Sequence, residues 1–168
     1  MKDATYIGID GGITGAMAAH HPDGTWQLRP VTVIDAGKDP LLDVWANFQF
    51  IREVSERAGG LENIVVVFEH AKKNPIFGAK GNFANGRHTE FWRVLLTFAR
   101  IPFACVDPNT WQSHVFRGLA GTDTKTKARL YVEQRYPAAP LDQFKKRSDL
   151  EGVRDAMCIA AWARASLP

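Results

Sequence analysis

Cysteine is scarce in this sequence, and long apolar runs are missing from it. The 168 residues include two cysteines. Cys105 lies in an apolar, strand-like run and Cys158 in an alanine-rich helical run, without the spacing of a zinc site, so we expect two small buried hydrophobic residues rather than a disulfide framework. No run approaches the ~18 apolar residues of a membrane span, and the N-terminus lacks the basic and then apolar pattern of a secretory signal. We therefore expect a soluble, intracellular protein.

The excess of positive over negative charge is also small, but the basic residues are clustered. The net charge is only +3, with an isoelectric point near 9.0. The three basic segments contain Lys72, Lys73, Lys80, Arg87 and His88, then Lys125, Lys127 and Arg129, and finally Lys145, Lys146 and Arg147. One such run is usually solvated surface. Three runs that each lie close to an acidic candidate or a glycine-rich loop favour a phosphate-binding face.

The order of the predicted elements indicates the fold class. With 45% hydrophobic residues, the chain can form one domain spanning residues 1–168. Periodicity predicts strands at 6–10, 16–19, 25–34, 64–69 and 103–106, and helices at 40–58, 85–100, 111–116, 123–135 and 148–166. This order predicts an α/β fold of the ribonuclease H-like architecture. Its central five-stranded mixed sheet would combine an antiparallel meander of three strands with two parallel strands, and helices would cover both faces.

Four acidic residues, distant from one another in sequence, are candidate metal ligands. A carboxylate in the buried middle of a sheet pays a desolvation cost, so it persists there mainly when a cation or strong donors lie opposite it. Asp10 is such a residue, because it ends the first strand and is followed by a glycine-rich turn. Glu69 ends a strand that this architecture places beside the first one. Glu151 and Asp155 are one helical turn apart, where like charges repel unless a cation lies between them.

Each acidic residue also has an ordinary structural interpretation. Asp10 could cap the turn that follows it, and Glu69 could pair with the basic segment after it. Glu151 could complete a capping box that begins at Ser148. Asp155 could form a salt bridge, for example with Lys125. Separate structural roles explain the four acids less well when they are taken together, because the predicted fold would bring all four to one place.

The segment 70–86 is glycine-rich, basic and aromatic, and it lacks helical or strand periodicity. We expect a mobile loop there, because loops of this length are usually functional or disordered. Phe77 and Phe83 lie among its lysines. These rings could stack on unpaired bases, which is worth roughly 1–3 kcal/mol per base, or they could belong to the core.

Four segments carry a resemblance to a known family, and they span nearly the whole chain. They are IGIDGGITG at 7–15, VVVFE at 65–69, VDPNTW at 106–111 and GVRDAM at 152–157. In this order they resemble RuvC-type Holliday junction resolvases, most closely the phage-encoded branch. The resemblance implies that Asp10, Glu69 and Asp155 are metal-binding catalytic acids. Bacterial members carry the fourth acid three residues before the last, here Gly152, whereas phage-like members tend to place it four before, here Glu151.

The resemblance further implies a metal-dependent endonuclease that resolves four-way DNA junctions, acting in the cytoplasm of a bacterium or a phage-infected cell. Hard oxygen ligands suit Mg²⁺, with Mn²⁺ as a substitute, and the four acids would hold two ions. A junction with two-fold symmetry requires two such sites, hence a homodimer, with Phe91 and Leu95 as interface candidates. The predicted DNA contacts are Lys72, Lys73, Phe77, Lys80, Phe83, Arg87, Lys125, Lys127 and Arg129.

Three other functions remain open from the sequence. A related ribonuclease H-like nuclease would act on RNA or an RNA–DNA hybrid. A non-catalytic nucleic-acid-binding protein would keep affinity for branched DNA without needing the acids. The glycine-rich hairpin at 9–15 is also similar to the phosphate-binding hairpin of sugar kinases and actin-like proteins, but that fold needs a second lobe for which 168 residues leave no room.

Overall fold

The computed structural model describes residues 4–35, 37, 40–70, 76 and 78–167. The strands are β1 (Thr5–Ile9), β2 (Ala16–His20), β3 (Trp26–Pro30), β4 (Val33–Ile34), β5 (Leu41–Leu42), β6 (Ile64–Glu69) and β7 (Phe103–Val106). The α-helices are α1 (Val44–Ala58), α2 (Gly78–Phe98), α3 (Pro108–Val115), α4 (Thr124–Arg135) and α5 (Arg147–Ser166), and Leu61–Asn63 forms a short 3₁₀ turn. None of the described helices is long and apolar enough to cross a membrane.

Five of the strands form one mixed sheet in the order β3-β2-β1-β6-β7. The first three strands form an antiparallel meander. Strands β1 and β6 are parallel neighbours, as are β6 and β7. This arrangement confirms the predicted five-stranded α/β fold, and it places the ends of β1 and β6 next to each other. A separate hairpin pairs β4 with β5.

The sheet separates two layers of apolar side chains. Because successive residues of a strand point to opposite faces, Tyr6 and Val67 pack with α3, α4 and α5. Their neighbours Ile7 and Phe68 pack with α1 and α2 on the other face. Both layers are fully apolar along β6, which explains why that strand reads as a continuous hydrophobic run in the sequence.

Two glycines allow α5 to lie unusually close to the sheet. A Cβ atom at Gly8 would collide with the backbone of Ala156 and Ala160. At Gly152, a Cβ would lie 2.5 Å from the carbonyl oxygen of Thr14 in the turn that follows β1. The N-terminal half of α5 is therefore held against the end of β1, which fixes the position of the acidic residues on this helix.

Aspartate side chains set the start of three helices. Asp43, Asp107 and Asp123 each accept a hydrogen bond from a backbone N–H in the first turn of α1, α3 and α4. Such caps satisfy donors that have no partner inside the helix. Helix α1 consequently begins at Val44, four residues later than predicted. It ends at Ala58 and is followed by Gly59, whose φ of 81° is left-handed.

Other predictions required correction. The predicted loop 70–86 is helical from Gly78 onward, so α2 begins seven residues before the expected start at Asn85. Strand β3 ends at Pro30, and residues Val33–Ile34 pair elsewhere. Cys105 is exposed rather than buried, whereas Cys158 is buried as expected.

Candidate metal centre

Strand register and pleat bring Asp10 and Glu69 to the same place. Ile9 pairs with Phe68 in the parallel ladder, so the residues that follow them lie side by side at the end of the two strands. Alternation along each strand directs both side chains to the face that α5 covers. Asp155 reaches this edge from α5, and its charge acts on the carboxylates of Asp10 and Glu69. Three of the four predicted acids thus share one region.

Asp10 is in an unfavourable setting for a negative charge. Burial, followed by the nearby charge of Asp155, raises the pKa of Asp10 to about 6. Lys125 and the backbone N–H of Gly12 act in the opposite direction but do not cancel the effect. The bond from Gly12 is the turn-capping role considered for Asp10, and it coexists with the position beside the other acids. A carboxylate with this pKa is only partly ionised at slightly acidic pH.

The pKa of Glu69 is raised in the same way. Burial and the charge of Asp10 raise the pKa of Glu69 to about 7. The indole Nε1 of Trp111 donates a hydrogen bond of 2.8 Å to Glu69 Oε2, which opposes the shift. The structure therefore holds two adjacent carboxylates that repel each other, an arrangement that a cation between or beside them would stabilise.

Asp155 forms an ion pair with Lys125. Lys125 Nζ lies 2.5 Å from Asp155 Oδ2. The side chain of Asp155 is 16% exposed, and burial keeps its pKa above the ordinary value despite the lysine. This is the salt bridge that the sequence offered as an alternative role for Asp155. Because Lys125 also acts on Asp10 and Glu69, the lysine belongs to the acidic cluster as well as to the pair.

Glu151 occupies the margin of the cluster. Arg147 Nε donates a hydrogen bond of 2.7 Å to Glu151 Oε1, and this contact holds the pKa of Glu151 below its usual value. The capping box does not form, since α5 begins at Arg147 and its N-terminal cap, Lys146, makes no side-chain capping bond. An acid at position 152 is excluded because the turn after β1 leaves no space for a side chain. Glu151 raises the pKa of Asp155, so it lies close enough to influence that carboxylate.

The donor set suits a hard divalent cation, although the side chains are not yet arranged around one point. Carboxylate oxygens are the ligands that Mg²⁺ and Mn²⁺ prefer. Among the described residues, no three Asp, Glu, His or Cys side chains are positioned to hold one ion together. Coordination of one ion by Asp10, Glu69 and Asp155 together therefore requires a change in their side-chain conformations.

The predicted DNA contacts have different surroundings. Lys72, Lys73 and Phe77 lie outside the described residues. Lys80 is exposed in the first turn of α2, and Phe83 is 72% exposed, which rules out the core role considered for this ring. Arg87 donates a long hydrogen bond to the carbonyl of Pro40. The remaining three, Lys125, Lys127 and Arg129, are on α4, where Arg129 pairs with Glu133.

Two tryptophans at the candidate centre were not identified from the sequence. Trp111 binds Glu69 as described above. Trp92, on the opposite face of the sheet, donates a hydrogen bond of 3.0 Å to the carbonyl of Gly11 and packs against that glycine. Both rings are essentially buried. The sequence pattern identifies a buried tryptophan only as a core residue. The acceptor of its indole hydrogen bond depends on tertiary contacts that periodicity does not reveal.

Comparison with known proteins supports the fold but gives no match at the level of sequence. The architecture is that of the ribonuclease H-like class. RuvC from Thermus thermophilus, solved in complex with a Holliday junction substrate, is similar with a TM-score of 0.56 and 14% identity, over 96% of this chain and 95% of that chain. A second structure of Thermus thermophilus RuvC gives a TM-score of 0.54 at 15% identity, with the same coverage of both chains.

A eukaryotic protein shares the same fold. The yeast mitochondrial Holliday junction resolvase Ydc2 has a TM-score of 0.57 and 14% identity, over 96% of this chain and 78% of that chain. No family model matches the sequence. No curated protein matches it either. Since the identities are low, these likenesses establish the fold, and the chemistry has to be argued from the residues of this chain.

Proposed function

We propose that this protein is a Mg²⁺-dependent endonuclease that resolves four-way DNA junctions by hydrolysing phosphodiester bonds in opposing strands. The observation that carries the proposal is the convergence of Asp10, Glu69 and Asp155 at one edge of the sheet. These acids come from three separate segments, and burial raises the pKa of each. A protein gains no stability from such a cluster, so its presence favours a role in binding a cation.

Asp10, Glu69 and Asp155 would hold the metal, with Glu151 as a further ligand or a water-orienting base. Bound divalent ions polarise a phosphate and lower the pKa of a coordinated water, so that hydrolysis proceeds near neutral pH. The protein's own residues would keep the carboxylates at the ends of two rigid strands and one helix. This support matters because catalytic groups are effective only when their geometry is fixed in advance.

The DNA would approach over α4 and the start of α2. Lys125 and Lys127 lie at the N-terminal end of α4, where the helix dipole adds to their positive charge. We assign these two lysines, with Arg129, to phosphates near the cleaved bond. Lys80, Arg87 and the exposed ring of Phe83 would contact the branch point, and Lys72, Lys73 and Phe77 precede them in the chain.

We also propose a homodimer that uses the outer face of α2. Leu95 is buried in the core, so the interface candidates on this helix are Phe91, Val94 and Phe98. Val94 is 64% and Phe98 87% exposed, and both line an apolar groove of about 400 Å³. Arg87 and Glu90 lie one turn apart at the groove, so a second copy related by a two-fold axis could place opposite charges against each other.

The dimer is tested by sedimentation equilibrium. Val94→Glu together with Phe98→Glu is expected to give a folded monomer that binds a junction but does not cut opposing strands in a concerted manner. Leu61→Glu, which changes an exposed apolar residue outside this face, serves as the matched control and should remain dimeric. A monomeric unmodified protein with full concerted cleavage would contradict the homodimer.

The proposed activity is tested by offering three substrates of the same sequence in Mg²⁺: a four-way DNA junction, a plain duplex and an RNA–DNA hybrid. We expect paired cuts in the junction and little cutting of the other two. Asp10→Asn and Asp155→Asn should bind the junction without cutting it, while the control Asp142→Asn, at an exposed site, should behave like the unmodified protein. Preferred cutting of the hybrid would assign the protein to the related RNA-directed nucleases. Binding without metal-dependent cutting would make it a non-catalytic binder.

A further inference from the structure

Trp111 is held rigidly beside the candidate metal centre. Asp107 caps α3 directly after β7, and β7 pairs with β6 so that Val106 lies opposite Glu69. Trp111 follows one turn later on the face of α3 that packs towards the sheet, and its side chain is 1% exposed. The ring of Phe116 contacts it edge-on, with centroids 5.3 Å apart. The indole thus has little freedom to rotate.

The hydrogen bond from Trp111 constrains Glu69 in a specific way. An indole N–H can only donate a hydrogen bond, so the oxygen that it contacts has to act as an acceptor. The bond of 2.8 Å engages Oε2. This contact restricts rotation of the carboxylate, and Oε1 is its oxygen without a hydrogen bond within the described part of the chain. Partners that orient a metal-binding carboxylate in this manner typically contribute ~10–100-fold to metal affinity or activity.

We propose that Trp111 is a positioning residue that orients Glu69 for binding a divalent cation. The inference rests on the proposed function, in that Glu69 is taken as a metal ligand. This positioning role differs from a purely structural role, in which Glu69 would only accept the hydrogen bond of a buried indole N–H. Trp92 does not share the role, because its indole binds the backbone carbonyl of Gly11 rather than a carboxylate.

The chain offers a matched control for the loss of an indole. Trp26 is 8% exposed and packs in the core against His20 and Tyr136. It lies at the opposite end of the sheet, since His20 pairs with Tyr6 near the start of β1. Its Nε1 has no hydrogen-bond partner within the described part of the chain. Trp26→Phe therefore removes the same atoms as Trp111→Phe without removing a bond to an acid.

Two measurements test the inference. Calorimetric titration with Mn²⁺ should show about tenfold or greater loss of affinity for Trp111→Phe and no loss for Trp26→Phe, with circular dichroism confirming that both variants fold. In the unmodified protein, the ¹⁵N-indole resonance of Trp111 should shift when Mg²⁺ is added, and that of Trp26 should not. The second measurement needs no variant, so it remains informative if Trp111→Phe fails to fold.

The outcomes separate this inference from the proposed function. Equal Mn²⁺ affinity in Trp111→Phe and the unmodified protein, or a Trp111 resonance that ignores Mg²⁺ while binding is measurable, would overturn the positioning role alone. Absence of any Mn²⁺ binding by the unmodified protein would overturn the role and the proposed metal-dependent activity together.

Discussion

Lys125 and Asp155 join helices α4 and α5 through an ion pair at the edge of the acidic cluster, with Nζ 2.5 Å from Oδ2. The charge of the lysine also lowers the pKa of Asp10 and Glu69. Lys125 consequently offsets part of the repulsion among the carboxylates. In the proposed reaction the same ammonium would be available to a phosphate once a divalent cation balances the acids.

Replacing Lys125 by Met should separate metal binding from cleavage. Removing the positive charge leaves the acids more negative, so we expect tighter Mn²⁺ binding by calorimetry. Junction cleavage should nevertheless fall by roughly 10²-fold, since a preorganised cation near the reacting phosphate is lost. Lys127→Met, two residues along the same helix, is the control for metal binding. It should leave the Mn²⁺ affinity unchanged, because the ion pair with Asp155 is made by Lys125, although as a proposed phosphate contact Lys127 should also contribute to cleavage. Weaker Mn²⁺ binding in Lys125→Met would contradict the place of Lys125 in the cluster.

Metal binding should release protons near neutral pH. Because burial and Asp10 raise the pKa of Glu69 to about 7, this carboxyl is about half protonated at that pH in the metal-free protein, and a bound cation must displace the proton. The release is expected to fall as the pH rises well above 7 and the group ionises beforehand. Titration calorimetry with Mn²⁺ in buffers of different ionisation enthalpy measures the number of protons. Glu69→Gln should remove most of the release, and an unchanged value in that variant would show that Glu69 is not its source.

Two glycines in helices should respond to alanine in opposite directions. Gly152→Ala should destabilise the protein by about 1–3 kcal/mol, because the added methyl group meets the backbone of the turn after Asp10. Gly86→Ala should stabilise it by about 0.5–1 kcal/mol, since a Cβ there contacts nothing within 4 Å and alanine favours the helix. Denaturant unfolding at neutral pH measures both. Equal stability of the two variants would contradict the close packing of α5 against the turn.

Some features of the fold and of the candidate site can be predicted from the sequence, and others depend on tertiary contacts. The positions of the strands and helices follow from alternation and spacing, because those patterns are local. The strand order and the convergence of Asp10, Glu69 and Asp155 follow from matching the order of these elements to a known architecture. The sequence does not predict the start of α2, since residues 78–86 lack a continuous apolar stripe and one face of the helix is exposed. The sequence predicts Lys125 as a phosphate contact and offers a salt bridge with it as an alternative role for Asp155, and the structure forms that salt bridge. The hydrogen bond of Trp111 depends on how α3 meets β6, which no local pattern encodes.

His20 should make the fold sensitive to acid. The ring stacks on Trp26, with centroids 4.2 Å apart, and burial together with Arg164 lowers the pKa of His20 to about 4. Because the folded-state pKa lies below the ordinary value of 6.5, the unfolded chain binds the proton more readily. Its contribution to stability is therefore complete above about pH 6.5 and is lost as the pH falls towards about 4. Denaturant unfolding across this range measures the loss.

Comparison with His20→Phe isolates this effect. Protonation of Asp10 and Glu69 adds stability as the pH falls, because their raised pKa values mean that the folded protein binds those protons more tightly. Both proteins share that gain. The difference in unfolding free energy between them should thus change between about pH 6.5 and about pH 4, in favour of the phenylalanine variant. A constant difference would contradict the burial of a neutral His20.

Crystals soaked in Mn²⁺, measured at a wavelength where manganese scatters anomalously, would examine the metal centre itself. We predict an anomalous peak bounded by carboxylate oxygens of Asp10 and Asp155, with Glu69 coordinated through Oε1 and still bonded to Trp111 through Oε2. Absence of a peak at this edge of the sheet, or a peak elsewhere while Lys125 keeps its bond to Asp155, would contradict the account.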